Sequence, residues 1–369
     1  MKTITKLKEI ASYAKGSQIN GDDLVENGKY EYLNGGINPS GRWNDYNTPG
    51  GTVTISEGGN SCGYVNYMEK PFWCGAHCYY LYNTVKNVRY LYYALKSQQD
   101  RLMRIRSGAC MPNIKKADLG AFELYFDTDE GQQQRIVSVL QKAERVISAR
   151  QQELQTLDNL IKARFVEMFG APETNPMGWE QVTLGDVCSS IVRGPFGSAL
   201  KKEFFVEPDE TTYKVYEQKH AIQKSATIGT YYVSKEKFNE LKRFECLAGD
   251  ILMSCSGTMG ELYQLPEGCE RGIINQALCK FTLNNRILPI CFLIYMQQTI
   301  GNLETKGSGI QNIAAVSYVK AMPINLPPME VQKQFAAFAT QIDKSKVVVQ
   351  KALNGAQLLF DSLMQQYFG

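Results

Sequence analysis

One segment of this chain recurs within it. Gly108, Asn113 and Ile114 return 199 residues later as Gly307, Asn312 and Ile313, in the loops RIRSGACMPNIKK (104–116) and LETKGSGIQNIAA (303–315). At the same offset Gln133 matches Gln332, Gln151 matches Gln350 and Leu154 matches Leu353. Leu160 matches Leu359, Phe169 matches Phe368, and Gly170 matches Gly369. No gap is needed between Gly108 and Gly170. A repeat of this length confines the fold to two equivalent halves.

The repeat carries a heptad. Its first seam runs Ile136, Leu140, Ala143, Ile147, Arg150, Leu154, Leu157, Ile161, Arg164, Met168. The second runs Phe335, Ala339, Ile342, Lys346, Val349, Leu353, Ala356, Phe360, Leu363, Tyr367. Steps alternate four and three, as a coiled-coil seam requires. The polar exceptions never coincide, since Arg150 takes the register of Val349 and Lys346 that of Ile147. Neither segment has an interior proline. Two helices of about 38 residues, about 55–60 Å long, are expected to pack on each other; separate packing, or zipping with another chain, is the alternative.

Ahead of each helix lies a segment rich in glycine, tyrosine and β-branched residues, with short alternating runs such as GTVTISEGG and KFTLNN. These read as mixed β-rich domains. The chain is therefore expected to be α+β and pseudo-two-fold symmetric: a domain over 1–128, a helix over 129–170, a second domain over 171–328 and a helix over 329–369. The domain openings echo each other, Leu7 to Gly16 against Leu184 to Gly194, as do VRYLYYALKS (88–97) and PICFLIYMQQ (289–298). The stretches between these landmarks differ in sequence and length. A duplicated frame with individual middles suits two recognition modules.

Charge points toward nucleic acid. The net charge is only +3, but Lys86, Arg89, Lys96, Arg101, Arg104, Arg106, Lys115 and Lys116 face a single acid, Asp100, across 86–116. Such a field attracts phosphates; a solvated face is the bland alternative. Lys96, Arg101, Arg104, Arg106, Lys115, Lys116 and, in the second loop, Lys306 are the phosphate candidates. Base-edge candidates are Asn34, Arg42, Trp43, Asn44 and Tyr46 on the glycine-rich stretch 34–47. In the second domain they are Gln218, Lys219, His220, Asn275 and Gln276. Asparagine or glutamine pairs with adenine and arginine with guanine, each good pair discriminating by roughly 1–3 kcal/mol; each such residue is also compatible with a merely solvated loop.

Catalytic signatures are missing. The sequence has no Gly-x-x-x-x-Gly-Lys-Ser/Thr phosphate loop, no Gly-x-Gly-x-x-Gly turn and no Asp/Asn-Pro-Pro-Tyr/Phe tetrapeptide. Ten cysteines form no Cys-x-x-Cys pair, so they read as small buried hydrophobes. Cys74, His77 and Cys78 leave open a zinc-dependent enzyme, although a second ligand pair is missing and no metal is expected. No apolar run nears the roughly 18–20 residues of a membrane span, and no secretory leader is evident. A cytoplasmic protein is expected.

The chain resembles the DNA specificity (S) subunits of type I restriction-modification systems. The resemblance rests on TVTISEGGNSCGYVNYMEKPFWCGAHCYYL (52–81), YLYYALKSQQDRL (90–102), the Pro-Asn-Ile loop at 112–114, WEQVTLGDV (179–187) and NLPPMEVQKQF (325–335). It implies two target recognition domains, each reading half of a bipartite site in double-stranded DNA. It implies antiparallel helices that set the gap and dock two modification (methyltransferase) subunits, with restriction (translocase and endonuclease) subunits joining them. S-adenosylmethionine would belong to the methyltransferases, which flip and methylate adenine; this chain would hold no cofactor and catalyse nothing. Two departures stand out. The first domain lacks a counterpart of Trp179, which suggests a shorter first strand. Its lead into the helix, FELYFDTDEGQQQ (122–134), lacks Leu-Pro-Pro, so Thr128 or Asp129 is the expected cap. The rival from another class is a coiled-coil scaffold with two protein- or glycan-binding β domains.

Overall fold

The computed structural model describes residues 2–84, 87–108, 112–170, 174–300, 305–306, 312–313 and 316–369. It divides into two compact units, Met1–Glu153 with Val349–Gly369 and Leu154–Val348. Each unit holds one mixed domain, one end of a long helix and the opposite end of the other.

In the first unit, strands Ser12–Lys15, Cys78–Tyr82, Thr52–Ser56 and Val65–Met68 lie side by side in that order, all antiparallel. A second sheet centres on Tyr30–Leu33, antiparallel to Gly41–Trp43 and parallel to Phe72–Cys74. Lys2–Lys6 pairs with Glu123–Asp127 just before the long helix. The strand lacking a tryptophan ahead of it is thus not short: it pairs over five residues, against four for Glu180–Thr183 in the second unit.

The second unit repeats the plan. Cys188–Arg193, Leu278–Leu283, Ile251–Ser254 and Leu262–Gln264 form its four-stranded sheet. Tyr213–Tyr216 runs parallel to Gly272–Ile274 and antiparallel to Tyr232–Val233. Glu180–Thr183 pairs with Pro323–Leu326. Extra strands Phe205–Val206 and Glu245–Cys246 widen the second sheet.

The openings echo each other for a steric reason. A Cβ on Gly16 would lie 1.8 Å from the Cys74 carbonyl oxygen, and one on Gly194 would lie 1.9 Å from that of Asn275. Both glycines end the first strand of their sheet, where it passes hard against the loop returning from the second sheet.

The long helices are Glu130–Phe169 and Met329–Phe368, the same span at the 199-residue offset. The Asp129 carboxylate caps the first by accepting from the Gln132 N–H at 3.0 Å; Thr128 does not. Gly170 ends it with φ +81°, its N–H on the Val166 carbonyl. None of the predicted seam residues is exposed on either helix. In the second unit Asp158 meets Lys346 at 2.7 Å, whereas Phe165 and Phe169 meet Phe335. One helix rises in number as the other falls, so the segments are antiparallel. In the first unit Phe360, Leu363 and Tyr367 pack on the core that holds Ile136 and Leu140.

The uninterrupted offset needs correcting between loop and helix. The Leu7 N–H donates to the Phe122 carbonyl, and its counterpart Leu184 to that of Met322, both at 2.9 Å. Helices Lys116–Ala121 and Val316–Ala321 agree with an offset of 200 there. One residue is gained before this short helix and one lost at the Leu-Pro-Pro turn. Buried Gln133 and Gln332 absorb the change, their amides donating to the Asp127 and Pro327 carbonyls.

Candidate nucleic-acid interface

The duplicated loop has the same backbone pairing in both copies. Ser107 bridges Asn113, exchanging hydrogen bonds of 2.8 and 2.9 Å, and Lys306 pairs with Asn312 in the equivalent place. Gly108 carries φ +101°, a conformation that a side chain resists. Ile114 is fully buried. In the first copy the shared residues therefore form a junction clasp. Gly307, its side-chain surroundings, and the side chains of Lys306, Asn312 and Ile313 lie outside the described residues, as do Lys86 and Cys110.

A hairpin tip lies against the first clasp. Gly58 bridges Asn113, the Gly59 N–H reaches the Pro112 carbonyl, and the Ile114 N–H that of Glu57. The Glu57 carboxylate holds Lys15 Nζ at 2.8 Å and His77 Nδ1 at 3.4 Å. The Asn34 side-chain oxygen accepts from the His77 N–H at 3.1 Å. Lys15, Glu57 and His77 escape sequence reasoning because each comes from a different strand end. The histidine side chain remains 60% exposed.

The basic residues divide by burial. Arg101, Arg104, Arg106, Lys115 and Lys116 are exposed around the clasp. Arg101 and Lys116 also lie over Phe122 and Tyr13, at 5.4 and 5.9 Å. Lys96 is instead tied inward: its ammonium donates to the Val65 carbonyl and Gln99, and sits 3.8 Å from the Tyr64 ring. Arg89 is spent on Glu69 and Glu144. Spacing alone does not separate these roles.

The loop candidates divide likewise. Arg42 is exposed, with its guanidinium anchored to the Gly28 and Lys29 carbonyls. Trp43 meets Trp73 edge-on at 6.4 Å, and Tyr46 leans on Tyr30 at 5.0 Å. Asn44 is exposed. Gln218 spans the second hairpin tip, donating to the Ser256 and Thr258 carbonyls. Lys219 pairs with Glu217 at 2.7 Å and covers Tyr231. His220 is fully buried. Its Nε2–H donates to the Ile228 carbonyl at 2.7 Å, and Nδ1 accepts from the Glu217 N–H at 2.8 Å. Burial holds its pKa below the ordinary value, so the ring packs as a neutral group rather than facing a ligand. Asn275 closes its turn by accepting from the Ala277 N–H, and Gln276 is exposed beside it.

Cys74 and Cys78 are buried while His77 points at Glu57, so the three do not converge. A hydrogen bond with Cys78 and then burial push the Cys74 thiol up. Among the described residues no group of three or more His, Cys, Asp or Glu could hold a metal, and no helix is long and apolar enough to cross a membrane.

Two equivalent mixed domains, each handing over through the same clasp to a long helix, define a duplicated protein with individual surfaces on a common frame. The family of type I restriction modification DNA specificity domains matches residues 2–159 and again 176–355. The chain belongs to that family. It is 35% identical over 151 residues to a type I specificity subunit of Mycoplasma genitalium, covering 40% of this chain and 37% of that protein. It is 41% identical over 123 residues to one of Mycoplasma pneumoniae, covering 32% and 31%. The matched stretch thus spans about a third of each of these relatives. The fold is similar along the whole chain to the type I restriction-modification S subunit structure from M. genitalium (TM-score 0.60, 21% identity, 100% and 96% covered). It is also similar to a chain of a type I restriction-modification assembly (TM-score 0.58, 13% identity, 99% and 97% covered).

Proposed function

We propose that this chain is the cytoplasmic DNA-recognition subunit of a type I restriction-modification complex. Each mixed domain reads one half of a bipartite site through its individual loops. The observation that carries this reading is the pairing of a repeated clasp and helix with unrepeated loops. A frame built twice carries two readers, and the loops supply what each reads. Arg104, Arg106 and Lys115 engage phosphates beside the first clasp, with Arg101 and Lys116 in support. Arg42, Asn44, Tyr46 and Gln276 are the exposed side chains placed to reach base edges. Asn34, Gln218 and Asn275 shape the loops that carry them.

The chain performs no reaction in this scheme. Two modification subunits bring S-adenosylmethionine and methylate adenine, and restriction subunits join them for cleavage. The modification subunits dock on the outer faces of the long helices. Leu160 and Leu359, identical across the repeat, are 45% and 56% exposed, so an equivalent apolar handhold stands on each helix.

The test is to express the chain with its modification subunits in a host lacking adenine methylation and to sequence for methyladenine. A two-part motif is expected. Exchanging residues 17–51 for those of a relative should change one half of the motif only. Methylation independent of this chain would refute the assignment.

A further inference from the structure

Phe196 is an apolar ring held in water. It is 73% exposed, on a strap that is pinned at both ends. Before it, the Gly194 N–H donates to the Leu278 carbonyl at 3.0 Å, and Gly194 packs where no Cβ fits. Pro195 then fixes the chain direction. After it, a short turn over Gly197–Leu200 buries Leu200 among Val215, Val233, Phe238 and Ile273. The strap cannot fold the ring inward without releasing one of these anchors.

The surroundings indicate what the ring meets. The Arg193 guanidinium lies 5.7 Å from it. Lys201 and Lys202 follow, both exposed, and no acid occurs from 193 to 202. Glu203 approaches Lys201 at 3.6 Å, with both side chains more than half exposed. Gln276 stands exposed beside Gly194. An apolar protein partner would not call for a guanidinium near the ring and two exposed ammonium groups further along the same strap. A polyanion made of flat, stackable groups does.

We propose that Phe196 is a base-stacking wedge of the second unit. It inserts at a base step of bound DNA while Arg193, Lys201 and Lys202 hold the flanking phosphates. Apolar side chains inserted in this way unstack and kink a duplex, and stacking tolerates any sequence. This inference rests on the DNA-recognition reading above and adds to it a contact that distorts the duplex.

The test uses the full chain assembled with its modification subunits and a pool of randomised duplexes enriched on that wild-type assembly. Phe196→Ala is expected to weaken binding of the enriched duplex about tenfold. It should leave the slope of affinity against salt unchanged, because no phosphate contact is lost. Phe196→Trp should restore binding, and its fluorescence should be quenched by DNA beyond the quenching that Trp43, Trp73 and Trp179 show in the wild-type assembly. Binding by Phe196→Ala equal to wild type overturns the wedge, as does weaker binding with no such added quenching in Phe196→Trp. Loss of the modification subunits from the Phe196→Ala assembly would also overturn it, making the ring a protein contact. A wild-type assembly that enriches no duplex would sink the DNA reading itself, a distinguishable result.

Discussion

At the scale of single residues, Gly16 and Gly194 are fixed by contact distance. Alanine at either position puts a methyl group against a carbonyl oxygen, under 2 Å away before any relaxation. Each substitution should cost about 2–3 kcal/mol, read as a lower urea midpoint. Gly21→Ala, where the added methyl meets nothing within 4 Å, should leave the midpoint nearly unchanged. His220 yields a pH prediction. Its folded pKa lies below the unfolded value of about 6.5, so at lower pH the unfolded chain binds the proton more readily. Its contribution is complete above about pH 6.5 and is lost as pH falls through the folded value. The urea midpoint should therefore decline with acidification in wild type and in His77→Ala, and decline less in His220→Leu. A parallel decline in all three would remove His220 as the cause. For the clasp, neutralising Arg104, Arg106 and Lys115 to glutamine should weaken binding to all duplexes alike. The slope of log affinity against log salt should flatten by about one per residue removed. A relaxed motif with an unchanged slope would assign them to base reading instead.

At the scale of elements, the helix pair stands on a few aromatic anchors. Phe335 is fully buried against Phe165 and Phe169. Phe335→Ala should destabilise the second unit by about 3–5 kcal/mol; calorimetry should show that transition moving. A change under about 1 kcal/mol would mean the segments do not depend on one another. These helices were the most legible part of the chain, because a seam of many turns averages over its polar exceptions and Arg150 and Lys346 could not mask the period. The sheets were less so. Their strands are two to six residues long and pair across large sequence separations, so the parallel pairing of Tyr30–Leu33 with Phe72–Cys74 leaves no local trace. The compensating shifts around 114–129 were hidden for a related reason, since the offset is the same on either side of them. Among site residues, an exposed Arg104 and an internally bonded Lys96 look alike in a basic run. Lys15, Glu57 and His77 meet only through the fold.

At the scale of the whole molecule, each long helix begins in one unit and ends in the other. If the helices space the two half-sites, their length is a ruler. A heptad inserted between Glu153 and Leu154, with another between Val348 and Val349, keeps the seam in phase and enters neither mixed domain. It adds about 10 Å at 1.5 Å per residue, roughly three base pairs at about 3.4 Å per step. The assembly carrying both insertions should methylate a motif whose halves are unchanged and whose gap is about three base pairs longer. A heptad in one helix alone leaves its partner too short to match, and should lower methylation without defining a new gap. The readout separates three cases. A longer gap with the same halves makes the helices the spacer, and an unchanged gap means that other contacts set the distance. Altered halves would move recognition onto the helices themselves.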